Sequence, residues 1–160
     1  MNDTLSPEQR SKRMGLIKDR DTGPEMLVRR LVHRLGYRYR LHRRDLPGCP
    51  DLVFPRLQKI IFVHGCFWHR HPSPDCKLAR LPKSRPDFWI PKLNANRERD
   101  LAAQARLLDM GWQIMLVWEC ETNHPQLERR IKEFLDDGFA RDRNVRRSGR
   151  PRNGRFTSRI

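Results

Sequence analysis

Lys59-Ile60-Ile61-Phe62-Val63-His64-Gly65-Cys66-Phe67-Trp68-His69-Arg70-His71 changes character part-way along. Residues 59–63 are apolar after the leading lysine and read as a short strand buried on both faces. Beyond them come three histidines, a cysteine and an adjacent Phe-Trp pair. Histidine and arginine are poor fillers of a dry apolar site. Such side chains bind transition metals, move protons and stack on bases. The strand therefore reads as a support, and the segment after it as a site.

Upstream, Leu46-Pro47-Gly48-Cys49-Pro50 reads as a turn and Asp51-Leu52-Val53-Phe54 as a second short apolar strand. Tyr37, Tyr39 and Leu41 alternate with arginines, the pattern of a half-exposed strand. Pro24 opens a helix whose Leu27, Leu31 and Leu35 recur at four-residue spacing, ended by Gly36. Ser6-Pro7-Glu8-Gln9 carries the start signals of a basic helix running to about Ile17. Downstream, residues 64–90 read as a long irregular segment, and such a loop in a compact domain is usually functional. Pro91 then begins a helix with Leu93, Leu101, Ala105 and Leu108 inward, closed by Gly111. Trp112 to Trp118 is an apolar strand with little alternation, expected at the centre of the sheet. A last helix, opened by Pro125 and carrying Leu127, Ile131 and Leu135, is expected to stop at Gly138. The order α-α-β-β-β-loop-α-β-α predicts one three-layer α/β domain over residues 1–138, the basic helix 6–17 included. Residues 139–160 form a basic, apolar-poor tail, expected to be disordered without a partner.

At 160 residues the chain is long enough to bury a core without disulfides. Its net charge of +15 points to a polyanionic partner. Residues 1–44 hold 12 Lys/Arg against 5 acids and residues 139–160 hold 8 against 1, while the centre is nearly balanced. Basic flanks around a neutral centre suit nucleic acid. No apolar run reaches the roughly 20 residues of a bilayer span, and no signal-peptide core follows Met1. The expectation is a cytoplasmic protein with reduced thiols and no membrane role.

Cys66, His71 and Cys76 are spaced C-x4-H-x4-C, and Cys120 follows the last strand. Three thiolates and an imidazole match a closed, structural type of zinc site, and thiolate-rich sets select soft or borderline metals. Such an ion would hold a loop too polar to hold itself by burial. The other reading is separate core or surface cysteines, which suits Cys49 in its turn. Asp51, next to Pro50 at a strand start, is placed to hold a hard cation such as Mg2+. His64 and His69 follow at the neighbouring strand end. Phosphodiester hydrolysis needs a metal, a base and an acid; these three residues cover those roles. Singly, they also read as a turn-capping aspartate and surface histidines.

Pro50-Asp51, then Phe62-Val63-His64-Gly65-Cys66-Phe67-Trp68-His69, then Trp118-Glu119-Cys120 resemble the very short patch repair (Vsr) DNA mismatch endonucleases of bacteria. Arg20-Asp21-Thr22 followed by Glu25 resembles them too. The resemblance covers roughly residues 8–137. It implies a restriction-endonuclease-like fold, a central mixed β-sheet flanked by helices, with histidines replacing the usual second acid and lysine. It further implies Asp51 and the main-chain carbonyl of Val63 as Mg2+ ligands, His69 as general base, and His64 and Glu25 in support. Cys66, His71, Cys76 and Cys120 would hold structural Zn2+. Phe67, Trp68 and Trp89 would wedge into the duplex, with Met14 entering from the other groove. Two departures stand out: Val63 replaces the usual threonine, and Pro72-Ser73-Pro74-Asp75 lengthens the loop before Cys76.

The function this implies is a Mg2+-dependent endonuclease that nicks double-stranded DNA 5′ of the thymine in a T·G mismatch left by 5-methylcytosine deamination. Its functional companion would be a cytosine-5 DNA methyltransferase, with mismatch-repair and polymerase partners and action as a monomer at the nucleoid. Two alternatives remain open: a general or homing-type nuclease of the same fold, and a zinc-stabilised DNA-binding protein without catalysis.

Overall fold

A computed structural model of the chain describes Ser6, Glu8, Gln9, Lys12 and residues 20–147, the last ten of these by their backbone alone. The expected N-cap is present: Gln9 N–H donates to Ser6 Oγ at 3.2 Å while Ser6 N–H donates to Gln9 Oε1 at 3.0 Å, a reciprocal capping box. Met14, most of the basic helix and residues 148–160 lie outside the described residues.

Helix α1 spans Gly23–Arg34, capped by Thr22, whose hydroxyl accepts from Glu25 N–H at 3.4 Å. Strands β1 (Arg40–Leu41), β2 (Leu52–Phe54) and β3 (Lys59–His64) follow. Helix α2 (Pro86–Asp109) then leads to β4 (Gln113–Trp118) and α3 (Leu127–Arg147). The sheet order is β1-β2-β3-β4, antiparallel except for the parallel β3–β4 pair. The architecture is a mixed α/β domain, consistent with the endonuclease-like fold that the resemblance implies.

Two apolar clusters form the layers. Ile61, Leu52, Phe54 and Val117 meet Val28 and Val32 of α1 and Leu127, Ile131 and Leu135 of α3. Ile60, Phe62 and Val53 meet Leu107 of α2, with Leu46 and Trp112. β3 feeds both clusters, because successive residues of a strand face opposite ways. Among the described residues no helix is long and apolar enough to cross a membrane.

Several expectations are corrected. β4 lies at the edge of the described sheet, and β3 takes the inner position. Only Arg40 and Leu41 of the Tyr37–Leu41 segment pair as a strand. On α1 the fully buried pair is Val28 and Val32, one position on from the leucines, and Leu27 is exposed. α2 begins at Pro86, a residue suited to a first helical turn, and carries Pro91 inside it. Its inward stripe runs through Leu93 and Leu107, whereas Leu101 and Leu108 are 54% and 58% exposed and Ala105 is exposed too. The stripe between them is polar or small (Asn96, Asp100, Ala103), which hides its direction from a hydrophobic pattern. α3 continues through Gly138 to Arg147, since an interior glycine weakens a helix by only about 1 kcal/mol.

The two faces of α2 give a direct check. Leu107→Ala should cost about 2–5 kcal/mol through the cavity it leaves. Leu108→Ala should stay within about 0.5 kcal/mol. Urea unfolding of both variants reads the difference, and equal losses would contradict the orientation of α2.

Candidate active site

The parallel pairing sets Val63 beside Val117 and His64 beside Trp118. Both chains therefore leave the sheet side by side, at the carboxyl ends where α/β sheets commonly place their sites. Gly65 starts the turn out of β3. A Cβ there would sit 3.3 Å from Trp68 Cδ1, so little side chain fits. The loop then closes on itself through His69 N–H to Gly65 O at 3.1 Å and His71 N–H to Cys66 O at 2.9 Å. Asn96 of α2 donates to Trp68 O at 3.2 Å, and Arg70 bonds Asn94, so the loop is docked on the helix.

A cleft of about 870 Å³ opens here, with Asp51, His64, His69, Asp100, Glu25 and Glu119 among its walls. Asp51 comes from the turn before β2, and its Oδ2 accepts from Val63 N–H at 2.7 Å. Gly48 allows that turn its close approach: φ is +74°, and a Cβ would lie 2.9 Å from Ala103 Cβ on α2. Burial pushes the Asp51 carboxyl up to about 6, with Glu25 adding to the effect and Val63 N–H, His42 and His69 opposing it.

His64 and His69 stack with ring centres 4.0 Å apart and planes 10° apart. Burial, then the neighbouring His69, pushes His64 down to about 4, so it is neutral at neutral pH. His69 Nδ1 lies 2.5 Å from Asp100 Oδ2. A carboxylate at Nδ1 fixes the tautomer with its proton there and leaves Nε2 as a base. Glu25 is buried and bound by Arg29 and by His42, whose Nε2 lies 2.7 Å from Oε1.

The second group forms behind the same loop. Ligand atoms of Cys66, His71, Cys76 and Cys120 all lie within 4.8 Å of one another, and Cys120 Sγ is 3.6 Å from His71 Nδ1. A tetrahedral zinc with sulfur about 2.3 Å away needs ligand pairs roughly 3.8 Å apart, which this set can supply. Burial pushes the Cys66 thiol up to about 12, while the hydrogen bond from His71 brings Cys76 down to about 7. Trp118 connects the two groups, stacking on His71 at 4.4 Å and meeting His64 edge-on at 5.2 Å.

Phe67, Trp68 and Trp89 form one aromatic cluster, with ring centres 5.0–6.1 Å apart. Phe88 joins it against Trp89, and Lys92 Nζ lies within 6 Å of the Trp68, Phe88 and Trp89 rings. The three rings that the resemblance implies as a wedge are thus brought together, half-buried beside the cleft.

Comparison with known proteins identifies the kinship. A family model described as DNA mismatch endonuclease Vsr matches residues 2–78. The type II nicking enzyme V.XorIIP of Xanthomonas oryzae pv. oryzae is 50% identical over 137 residues, covering 85% of this chain and 98% of that protein. The DNA mismatch endonuclease Vsr of Escherichia coli (strain K12) is 40% identical over 141 residues, 84% of this chain and 88% of that protein. This chain belongs to the Vsr endonuclease family. A third relative, V.NmeAIP of Neisseria meningitidis, is 36% identical over 141 residues and is likewise called a type II nicking enzyme.

Against that family frame, three residues of the cleft had escaped the sequence reading. Asp100 sits mid-helix next to Arg99 and reads as a solvated surface acid. His42 stands among arginines in a turn, and Glu119 is hidden between Trp118 and Cys120. Asp100 becomes visible only once the direction of α2 is known, and His42 and Glu119 carry no signal in the sequence pattern.

The raised Asp51 carboxyl has a stability consequence. Its folded-state value lies above the ordinary 3.8, so its protonated form is favoured on folding. Its contribution is greatest below about 3.8 and is lost as pH rises through about 6. Asp51→Asn should therefore stabilise the protein at pH 7 by about 1–3 kcal/mol in buffer without Mg2+. Urea unfolding at pH 7 and pH 5 measures it: the gain should shrink at the lower pH, and a loss at pH 7 would contradict the reading.

Proposed function

We propose that this Vsr-family endonuclease nicks one strand of duplex DNA 5′ of the thymine in a T·G mismatch. The observation that carries the reading is the His69–Asp100 pair, 2.5 Å apart, in one cleft with Asp51 and beside the Phe67–Trp68–Trp89 cluster. A base with a free Nε2, an acid for a cation and stacking rings serve hydrolysis at a distorted base pair. The nicking and mismatch activities named for its relatives point the same way.

In this reading Asp51 and the Val63 carbonyl would hold Mg2+, which would supply neutralisation of charge on the scissile phosphate. His69 Nε2 takes the proton of the attacking water, and Asp100 steadies the imidazolium that results. His64, kept neutral by burial, adds no second positive charge against the stacked ring. Val63 in place of threonine is compatible with this role, because the main chain supplies the oxygen. Glu25 supports the site from α1. The aromatic cluster enters the duplex at the mismatch, where unstacking is cheap, and stacking returns about 1–3 kcal/mol per base. Cys66, His71, Cys76 and Cys120 would hold Zn2+, which would brace the loop that carries these groups. Met14 would approach from the other groove, as the family resemblance implies. The enzyme acts as a monomer in the bacterial cytoplasm, on lesions at the sites of a cytosine-5 methyltransferase, and hands its nick to repair polymerases.

Purified protein with Mg2+ should nick a T·G duplex and leave the matched T·A duplex intact; equal nicking would return the reading to a general nuclease. Asp51→Ala and His69→Ala should each lower the nicking rate by about 10²–10⁴-fold while DNA binding persists. Binding without nicking by the unaltered protein in any divalent metal would instead favour a non-catalytic DNA-binding module. Cys120→Ser should lose bound zinc, read as metal per chain by atomic absorption, and make residues 65–85 sensitive to protease. Full zinc content in that variant would remove Cys120 from the set.

A further inference from the structure

The His69–Asp100 pair belongs to two adjoining cavities. Beside the cleft lies a second one of about 570 Å³, which shares His69, Asp100, Gly48 and Ala103 with it. The two differ in charge. The cleft is lined by five acids, Asp21, Glu25, Asp51, Asp100 and Glu119, against one arginine, Arg20. The second cavity is lined by two arginines, Arg99 and Arg106, and by one acid, Asp100, already engaged with His69 at 2.5 Å.

Asn96, Arg99, Ala103 and Arg106 follow a 3-4-3 spacing, so the wall that α2 gives this cavity is one stripe of the helix. Gly48, from the turn before β2, comes so close to Ala103 that a Cβ would lie 2.9 Å from it. Small residues (Gly48, Ala102, Ala103) leave the space open, and the arginines decide what enters it. Arg99 is held in place: its Nε donates to Ala95 O at 3.2 Å, and its Nη2 bonds Asn96 Oδ1. Its Nη1 and the Arg106 guanidinium have no partner among the described residues. Guanidinium donors left over in this way suit phosphate oxygens.

A DNA strand laid along the cleft brings its scissile phosphate up to carboxylates, and without a divalent ion those like charges repel. A neighbouring phosphate of the same strand meets the opposite sign of charge in the second cavity, with or without an ion. Held there, it fixes the strand beside His69, which both cavities share, and so sets where the scissile phosphate comes to lie.

We propose that the Arg99–Arg106 cavity seats a non-scissile backbone phosphate, one that flanks the phosphate to be cut on the same strand. Arg99 and Arg106 are thereby positioning residues for the nick. The proposal rests on the reading of the cleft as the place of the scissile phosphate. It divides the labour: the arginine cavity supplies affinity and register, and the acidic cleft supplies the chemistry.

The test replaces phosphates of the cut strand of a T·G duplex by uncharged methylphosphonates, one position at a time on both sides of the nick. Affinity for the zinc-loaded full chain is then measured without divalent ion. One position flanking the scissile phosphate should cost about tenfold. That loss should vanish in Arg106→Ala and in Arg99→Ala, which have already lost the contact. Both variants should also lower the salt slope of DNA affinity by about one. Arg97→Ala, exposed on α2 but lining neither cavity, should keep the full methylphosphonate loss. Replacing the scissile phosphate itself should leave binding unchanged or tighten it in this buffer. Losses that persist in both arginine variants at every position would overturn the proposal. So would an arginine-dependent loss at the scissile phosphate, or one that Arg97→Ala also removes. Failure of the nicking reading would look different: a protein that nicks nothing would still show one arginine-dependent phosphate in the binding map. A protein that nicks T·G duplexes without such a phosphate keeps its function and loses this seat.

Discussion

The parallel register of β3 and β4, with His64 opposite Trp118, is the constraint on which the rest of the molecule depends. A strand pair has a side-chain period of two, so a slip of one residue would turn each face over. Ile61 and Val117 would exchange their cluster with Ile60 and Phe62, and the helices on both sides would lose their partners. The slip would also part the two chains where they leave the sheet. Cys66 and Cys120 follow their strands by two residues each, so a common register is what allows residues 54 positions apart in sequence to meet. The apolar core and the polar site thus depend on the same alignment, and stability of the first secures the geometry of the second.

That geometry concentrates charge where solvation is poor. Asp51, Glu25, Asp100 and Glu119 share a cleft with His42, His64 and His69. Each carboxylate is met by a specific donor: Val63 N–H for Asp51, Arg29 and His42 for Glu25, His69 for Asp100, Cys66 N–H for Glu119. Asp51 is met by a single backbone N–H, and its carboxyl is the one that burial pushes up to about 6. An acid left short of partners is unfavourable in the free protein and receptive to a cation, the combination expected of a functional group rather than a structural one.

Much of this was legible from residue types. The strand at 59–63, the Cys66–His71–Cys76–Cys120 group and the Asp51–His64–His69 neighbourhood all came from local chemistry, and the structure brings each set together. The inward faces of the two helices α1 and α2 are hidden for one physical reason. α2 was mistaken because hydrophobic periodicity assumes that the inward face is apolar. Between Leu93 and Leu107 the inward face of α2 meets the cleft, and it carries Asn96, Asp100 and Ala103. The leucines left over, Leu101 and Leu108, then pointed the helix the wrong way. On α1 the same effect arises from Glu25 and Arg29, buried polar residues that displace the stripe by one position. Site-facing helices are illegible for the reason that makes them useful. Trp112–Trp118 misled differently: its apolar run looked central, yet β4 is covered by helices without a further described strand beside it.

The loop after β3 explains why anchoring groups outside the backbone are needed. A loop of this size ordinarily fixes itself by burying its large apolar side chains. Phe67 and Trp68 are the large apolar side chains available near its start, and they lie half-buried in a ring cluster beside the cleft instead of in either core cluster. If they are to enter DNA, they cannot also hold the loop. The task passes to neighbours that alternate with them: Cys66 and His71 toward the Cys120 thiol, His69 to Asp100, Arg70 to Asn94. Anchors and working groups are therefore interleaved residue by residue between positions 64 and 71. Removing Cys66 or His71 should loosen every working group at once, whereas removing Phe67, Trp68 or the His64 imidazole leaves those anchors in place. This asymmetry follows from the spacing alone, and it is why the stretch that looks most crowded in the sequence can keep its functions separable.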